Sequence, residues 1–145
     1  MATLYIDSNV FFYAKIMDRV FGEPCSRILT DVSSGNLQAS TSALVPIEVA
    51  NALRKYGLAK DIVAEVQAIS SVGLEIYTLD LTDMLEAAEI YGATGISPYD
   101  CLHAAVMKKD GLNEIIFADT EFKKVPRMKR PDLRVVVGRR PKLAT

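Results

Sequence analysis

The sequence predicts an α/β fold of three layers, a mostly parallel central sheet between helices, and three observations carry that expectation. Short apolar runs alternate from end to end with longer stretches of helical periodicity. Glycines and prolines fall singly, where one element hands over to the next. Two of the apolar runs stop at an aspartate, Asp7 and Asp119, as buried parallel strands do when their ends open on a polar edge.

Each element has its own signal. Leu4, Tyr5 and Ile6 form an apolar, β-favouring run that ends at Asp7. A helix is expected over 10–17, capped by Asn9 or Ser8. Pro24 opens a second helix over 25–32, which Gly35 ends, and residues 37–41 alternate like a strand. Pro46 starts a helix that runs through 56, with Gly57 just past its end. A helix over 61–70, a strand over 74–79 and a helix over 82–91 stopped by Gly92 follow. Ser97-Pro98 begins a helix through 109, closed by Gly111. An apolar strand over 114–118 ends at Asp119, and the last strand covers 133–137, with a frayed tail beyond it. With no internal repeat, low-complexity segment or linker, residues 1–145 are expected to form one domain.

The composition narrows the function. Half of the 145 residues are hydrophobic and 24% charged, ordinary values for a soluble domain. A net charge of −1 argues against a protein that coats DNA non-specifically, yet leaves room for an enzyme with a local basic rim. Cys25 and Cys101 lie far apart and match no metal-ligand spacing, so they read as reduced, partly buried thiols. The N-terminus lacks the pattern of a secretory signal, and no apolar stretch is long enough to span a bilayer. The expected location is therefore the cytoplasm, with no membrane partner.

Four acidic residues stand out by position. Asp7 and Asp119 end strands, Glu48 sits in the first turn after Pro46, and Asp100 sits in the first turn after Ser97-Pro98. In an open parallel sheet, strand ends and the helix starts that follow them share one edge, where ligands bind. Four carboxylates converging there would need a cation, and oxygen ligands suit Mg²⁺ or Mn²⁺. Each residue also has a plainer reading: Asp7 and Asp119 as helix or turn caps, Asp100 in a capping box with Ser97, Glu48 as a complement to a helix dipole. A charge directly abutting an apolar strand, as at Asp7, is the hardest to explain in that way.

The segments Tyr5-Ile6-Asp7-Ser8-Asn9-Val10, Pro46-Ile47-Glu48-Val49-Ala50-Asn51, Ser97-Pro98-Tyr99-Asp100-Cys101-Leu102-His103-Ala104-Ala105 and Ala118-Asp119-Thr120-Glu121-Phe122 resemble, in order and spacing, the successive motifs of the PIN-domain family. In length the chain is similar to that family's compact VapC-like toxins. The resemblance implies metal-binding, catalytic roles for Asp7, Glu48, Asp100 and Asp119. It implies supporting roles for Asn9, beside the first aspartate, for Ser97, at the start of the helix bearing the third, and for Glu121. The chain departs from the pattern at Phe117, where the family often has Ser or Thr. The activity implied is Mg²⁺- or Mn²⁺-dependent hydrolysis of RNA phosphodiesters, as the toxin of a toxin–antitoxin pair, with RNA as substrate and a small antitoxin as partner.

Other residues complete the reading. His103, the single histidine, lies one helical turn after Asp100; it could face the pocket but reads first as a helix-packing or partly exposed residue. A basic stretch after Asp119, led by Lys123, Lys124 and Arg127, is either a solvated surface or a grip on RNA phosphates. Phe11, Phe12, Val20 and Phe21 exceed what one core-facing stripe needs, so a homodimer through the early helices is expected. Rival readings are a stand-alone RNA-processing nuclease, a phosphatase using Asp7 as nucleophile, and a silent binding module on the same fold. The phosphatase wants a second aspartate two residues on, where this chain has Asn9.

Overall fold

The computed structural model describes residues 4–112 and 114–116. The elements follow in the order β1 (Leu4–Ile6), α1 (Ser8–Ile16), α2 (Gly22–Ser33), β2 (Ala39–Ser42), α3 (Leu44–Lys55), a 3₁₀ turn (Ala59–Asp61), α4 (Ile62–Ser71), β3 (Glu75–Tyr77), α5 (Leu81–Thr94), α6 (Pro98–Lys109) and β4 (Ile115–Ile116). The strands form one parallel sheet in the order β3-β2-β1-β4. The α/β architecture expected from the sequence is therefore observed; the strand expected over 133–137 lies outside the described residues.

The strand order places the site. From β1 the chain winds outward to β2 and then β3, and it returns past β1 to lay down β4 on the other side. Parallel crossovers are right-handed, so reversing the direction of winding moves the connecting helices to the opposite face. Two hydrophobic clusters agree with this. Leu4, Ile6 and Ile116 pack with residues of α1 to α4, whereas Tyr5 and Ile115 pack with residues of α5 and α6. Alternate residues of a strand face opposite sides, so β1 and β4, buried on both, are apolar at nearly every position. The winding reverses beside the end of β1, and Asp7 is the residue at that point.

Four local differences from the sequence expectations have physical causes. Helices α2 and α3 begin before their prolines, with Pro24 and Pro46 each at the third helical position. The first turn leaves its N–H groups without helical partners, so proline is tolerated anywhere in it. Glu48 consequently sits beyond the first turn of α3, which removes the reading of it as a dipole complement. Helix α5 passes through Gly92 and ends at Gly95, whose φ of 69° provides the left-handed stop. Finally, α1 is capped by Asp7, as the plainer reading of that residue has it, rather than by Asn9 or Ser8.

The rings on which a dimer interface was expected are drawn inward. Phe11 belongs to the core, and Phe12 and Phe21 pack against it, contacting Tyr13 and, for Phe12, Tyr56. The exposed apolar residues of this corner include Met17, Val20 and Tyr56. Both cysteines are free and fully buried, more so than the sequence implied, and burial pushes the Cys25 thiol up to about 12.

The pairing of α5 with α6 rests partly on one carboxylate. Asp80 and Asp83 close a reciprocal capping box, and Lys109 Nζ of α6 lies 3.0 Å from Asp83 Oδ1. Burial works against charge on Asp83, but the Asp80 N–H and the Lys109 ammonium outweigh it and hold the carboxyl below its ordinary range. A carboxyl lowered in the fold stabilises above its unfolded value of about 3.9, and that contribution fades as pH falls through the folded one. Asp83→Asn should therefore cost about 1 kcal/mol or less at pH 7 in urea unfolding. The gap should narrow near pH 3; an equal gap at both pH values contradicts the ion pair.

Candidate functional site

The end of β1 carries a charge into the interior. Asp7 is 4% exposed, the consequence of following directly on a strand buried on both faces. Its Oδ2 accepts the Asn9 N–H at a long 3.5 Å, the N-cap bond of α1. Its Oδ1 lies 3.8 Å from His103 Nε2. Burial pushes the Asp7 carboxyl above its ordinary value; His103 opposes the shift and the nearby Glu48 carboxylate adds to it.

Glu48 arrives from α3 and His103 from α6, so three elements meet at one edge of the sheet. One donor atom from each of Asp7, Glu48 and His103 lies within 4.8 Å of the others. Among the described residues this is the one group of acidic, histidine or cysteine side chains so arranged. Glu48 is half-buried, and its Oε1 lies 2.6 Å from His103 Nε2.

His103 is completely buried, and both of its ring nitrogens have partners. Nδ1 lies 2.6 Å from the hydroxyl of Tyr5, which donates to Ser42 Oγ at 2.9 Å. Ser42 Oγ also accepts the Leu44 N–H at 3.3 Å, at the first residue of α3. Burial by itself would lower the imidazole pKa; the hydrogen bond to Glu48 and the charges of Glu48, Asp7 and Asp100 reverse that and hold it above the ordinary histidine value. Beside this chain, Thr41 Oγ1 donates to the Ile6 carbonyl at 2.8 Å and ties β2 to the last residue of β1.

The expected site residues fall into three sets. Asp7 and Glu48 are brought together, and Asn9 supports Asp7 through its backbone N–H. Asp100 stands in the first turn of α6, whose N-cap Ser97 accepts the Tyr99 N–H at 3.2 Å. It lies outside the group of three, although its charge is felt at the His103 ring. Asp119, Glu121, Lys123, Lys124 and Arg127 lie outside the described residues.

Sequence reasoning favoured a packing role for His103 and missed Tyr5 and Ser42 altogether. The structure makes His103 both a packed residue and a partner of Glu48. A signal for the polar network was available. Ser40, Thr41 and Ser42 lie fully buried in β2, where a hydroxyl ordinarily pairs inside the protein, and Thr41 and Ser42 do so with the Ile6 carbonyl and the Tyr5 hydroxyl.

An open groove of about 810 Å³ leads away from Glu48. It is bounded by Ser8 and Asn9 on α1, by Asn51, Arg54 and Lys55 on α3, and by Tyr99. The Tyr99 ring is largely exposed, and Arg54 is oriented by a 2.9 Å bond to Asn51 Oδ1.

The fold is shared with solved structures of distant sequence. VapC20 of Mycobacterium tuberculosis, a Sarcin-Ricin loop cleaving toxin, is 18% identical with a TM-score of 0.73, over 86% of this chain and 95% of that one. VapBC2 of Rickettsia felis, bound to a DNA fragment from its promoter, gives 16% identity and a TM-score of 0.66 over 88% and 96%. The protein PAE2754 of Pyrobaculum aerophilum gives 18% and 0.64 over 98% and 99%. No curated protein matches the chain significantly. The model of the PIN domain matches residues 4–128, which take in every strand and helix described above, and the chain belongs to the PIN domain family.

Proposed function

We propose that this chain is a metal-dependent endoribonuclease and the toxin of a toxin–antitoxin pair. The observation that carries the proposal is the buried Asp7 carboxylate, gathered with Glu48 at the edge where the sheet reverses its winding. PIN domains are generally nucleases, and two of the similar structures are a Sarcin-Ricin loop cleaving toxin and a VapBC complex.

The donor set fits a hard divalent cation, Mg²⁺ or Mn²⁺. Two carboxylates share a pocket in which burial penalises the charge of Asp7, so a cation bound there gains from it. Asp7 and Glu48 would hold it, with Asp100 and, from the sequence, Asp119 completing the acidic set. The bound ion would supply Lewis-acid activation of a water and charge stabilisation at the scissile phosphate. The chain's own residues do the rest. Asp7 is fixed by its place between β1 and α1. Arg54 and Lys55 offer positive charge to RNA phosphates along the groove, and the exposed Tyr99 ring offers a face on which an unpaired base can stack. Lys123, Lys124 and Arg127 extend that grip in the sequence reading. As a toxin the protein would pair with a small antitoxin and form a homodimer. From the sequence reading we place the enzyme in the cytoplasm; among the described residues no helix is long and apolar enough to cross a membrane.

Two outcomes test the proposal. Asp7→Asn should lower Mg²⁺-dependent cleavage of single-stranded RNA by on the order of 100-fold or more, because an amide cannot supply the charge a hard cation requires. Asparagine is itself a good cap, and the variant removes a desolvated charge, so its metal-free stability should equal or exceed that of the wild type. Cleavage that survives EDTA or Asp7→Asn at the wild-type rate contradicts the proposal. Separately, Arg54→Ala and Tyr99→Ala should raise KM for RNA by roughly 10-fold with kcat nearly unchanged, the size expected for one phosphate contact or one stacked base. A wild-type KM in both variants removes the groove from the RNA path.

A further inference from the structure

The hydrogen bonds around His103 form a closed circuit. It starts at the Leu44 N–H, at the beginning of α3, passes through Ser42 Oγ, the Tyr5 hydroxyl and the two ring nitrogens of His103, and returns to α3 at Glu48 Oε1. Every side chain in it except Glu48 is fully buried. It joins β2, β1, α6 and α3, the elements whose ends make the acidic edge.

We infer that His103 is a positioning residue for the metal site, the middle link of a Ser42–Tyr5–His103–Glu48 relay that fixes where Glu48 presents its carboxylate. The inference rests on the metal-site reading above and adds to it residues outside the acidic set. A glutamate has three rotatable bonds, and one at the rim of a pocket ordinarily samples many positions. Here one oxygen, Oε1, is held by a ring that cannot itself move, since its other nitrogen is anchored through Tyr5 to the central sheet. A carboxylate has two oxygens, and the relay engages Oε1. His103 acts through Glu48 rather than as a ligand. Its Nε2 lies 2.6 Å from Glu48 Oε1 but 3.8 Å from Asp7 Oδ1, so its lone direction is spent on the glutamate. Groups that orient metal ligands in this way typically change metal affinity by about 10-fold to 100-fold when removed.

The test measures Mn²⁺ binding by titration calorimetry, well below the melting temperature, for the wild type, His103→Gln and Tyr5→Phe. Glutamine cannot bridge Tyr5 and Glu48, and phenylalanine removes only the anchoring hydroxyl, leaving every acidic residue in place. Both variants should bind Mn²⁺ more weakly, by roughly 10-fold or more for His103→Gln and less for Tyr5→Phe. The Mg²⁺ concentration for half-maximal RNA cleavage should rise in parallel, with KM for RNA unchanged and the Tyr5→Phe rate rescued by excess metal. If His103→Gln does not fold, Tyr5→Phe alone decides. Wild-type Mn²⁺ affinity in a folded variant, even with a lowered melting temperature, would make the relay merely structural and overturn the inference. Nitrogen hyperfine coupling to Mn²⁺ bound in the wild type would make His103 a ligand and overturn it as well. Mn²⁺ binding without RNA cleavage overturns the nuclease proposal and leaves this inference to the affinities; no Mn²⁺ binding by the wild type overturns both.

Discussion

The charge of Asp7 is the constraint around which the site is arranged. An ionised carboxylate at 4% exposure costs several kcal/mol in lost hydration unless something nearby compensates. The compensation present is incomplete. The backbone N–H groups of Ser8 and Asn9 and the His103 ring 3.8 Å away favour the charge, but burial outweighs them and Glu48 adds a second negative charge to the same space. An incompletely compensated buried carboxylate is poor design for stability and good design for holding a cation, which is why this residue and not its neighbours supports the proposed chemistry.

Topology supplies the partners. Because the chain reverses its winding beside β1, α3 and α6 deliver their residues to the Asp7 edge from different halves of the fold. Glu48 and His103 are 55 residues apart in sequence, and their contact exists only because α3 and α6 both begin at this edge. The odd-facing residue of β1, Tyr5, lies on the α6 side of the sheet, where its hydroxyl reaches both β2 and His103. Its burial drives the phenol well above the ordinary range, so it remains a neutral hydrogen-bonding group.

Much of this was readable from the chain alone, for identifiable reasons. The alternation of elements, the strand Leu4–Ile6 and the helix Pro98–Lys109 follow from periodicity and caps that act locally. Asp7 was conspicuous because a charge ending an apolar strand has few structural uses. Glu48 was found by its distance from Pro46, although the true helix start is two residues earlier, since proline fits any position of a first turn. The role of His103 is not legible locally, because it depends on Tyr5, 98 residues away, and no local pattern encodes such a partner. Ser42, in the buried hydroxyl run Ser40-Thr41-Ser42, is the local trace of that network.

The central claim is that the Asp7 pocket holds a divalent cation, and binding to the folded state alone must raise stability. Thermal unfolding of the EDTA-treated protein, followed as Mg²⁺ is titrated in at constant ionic strength, reads this directly without any substrate. The account predicts that Tm climbs with Mg²⁺ concentration in the wild type and stays flat in Asp7→Asn. A Tm indifferent to Mg²⁺ in the wild type, or one that climbs equally in both proteins, would contradict it.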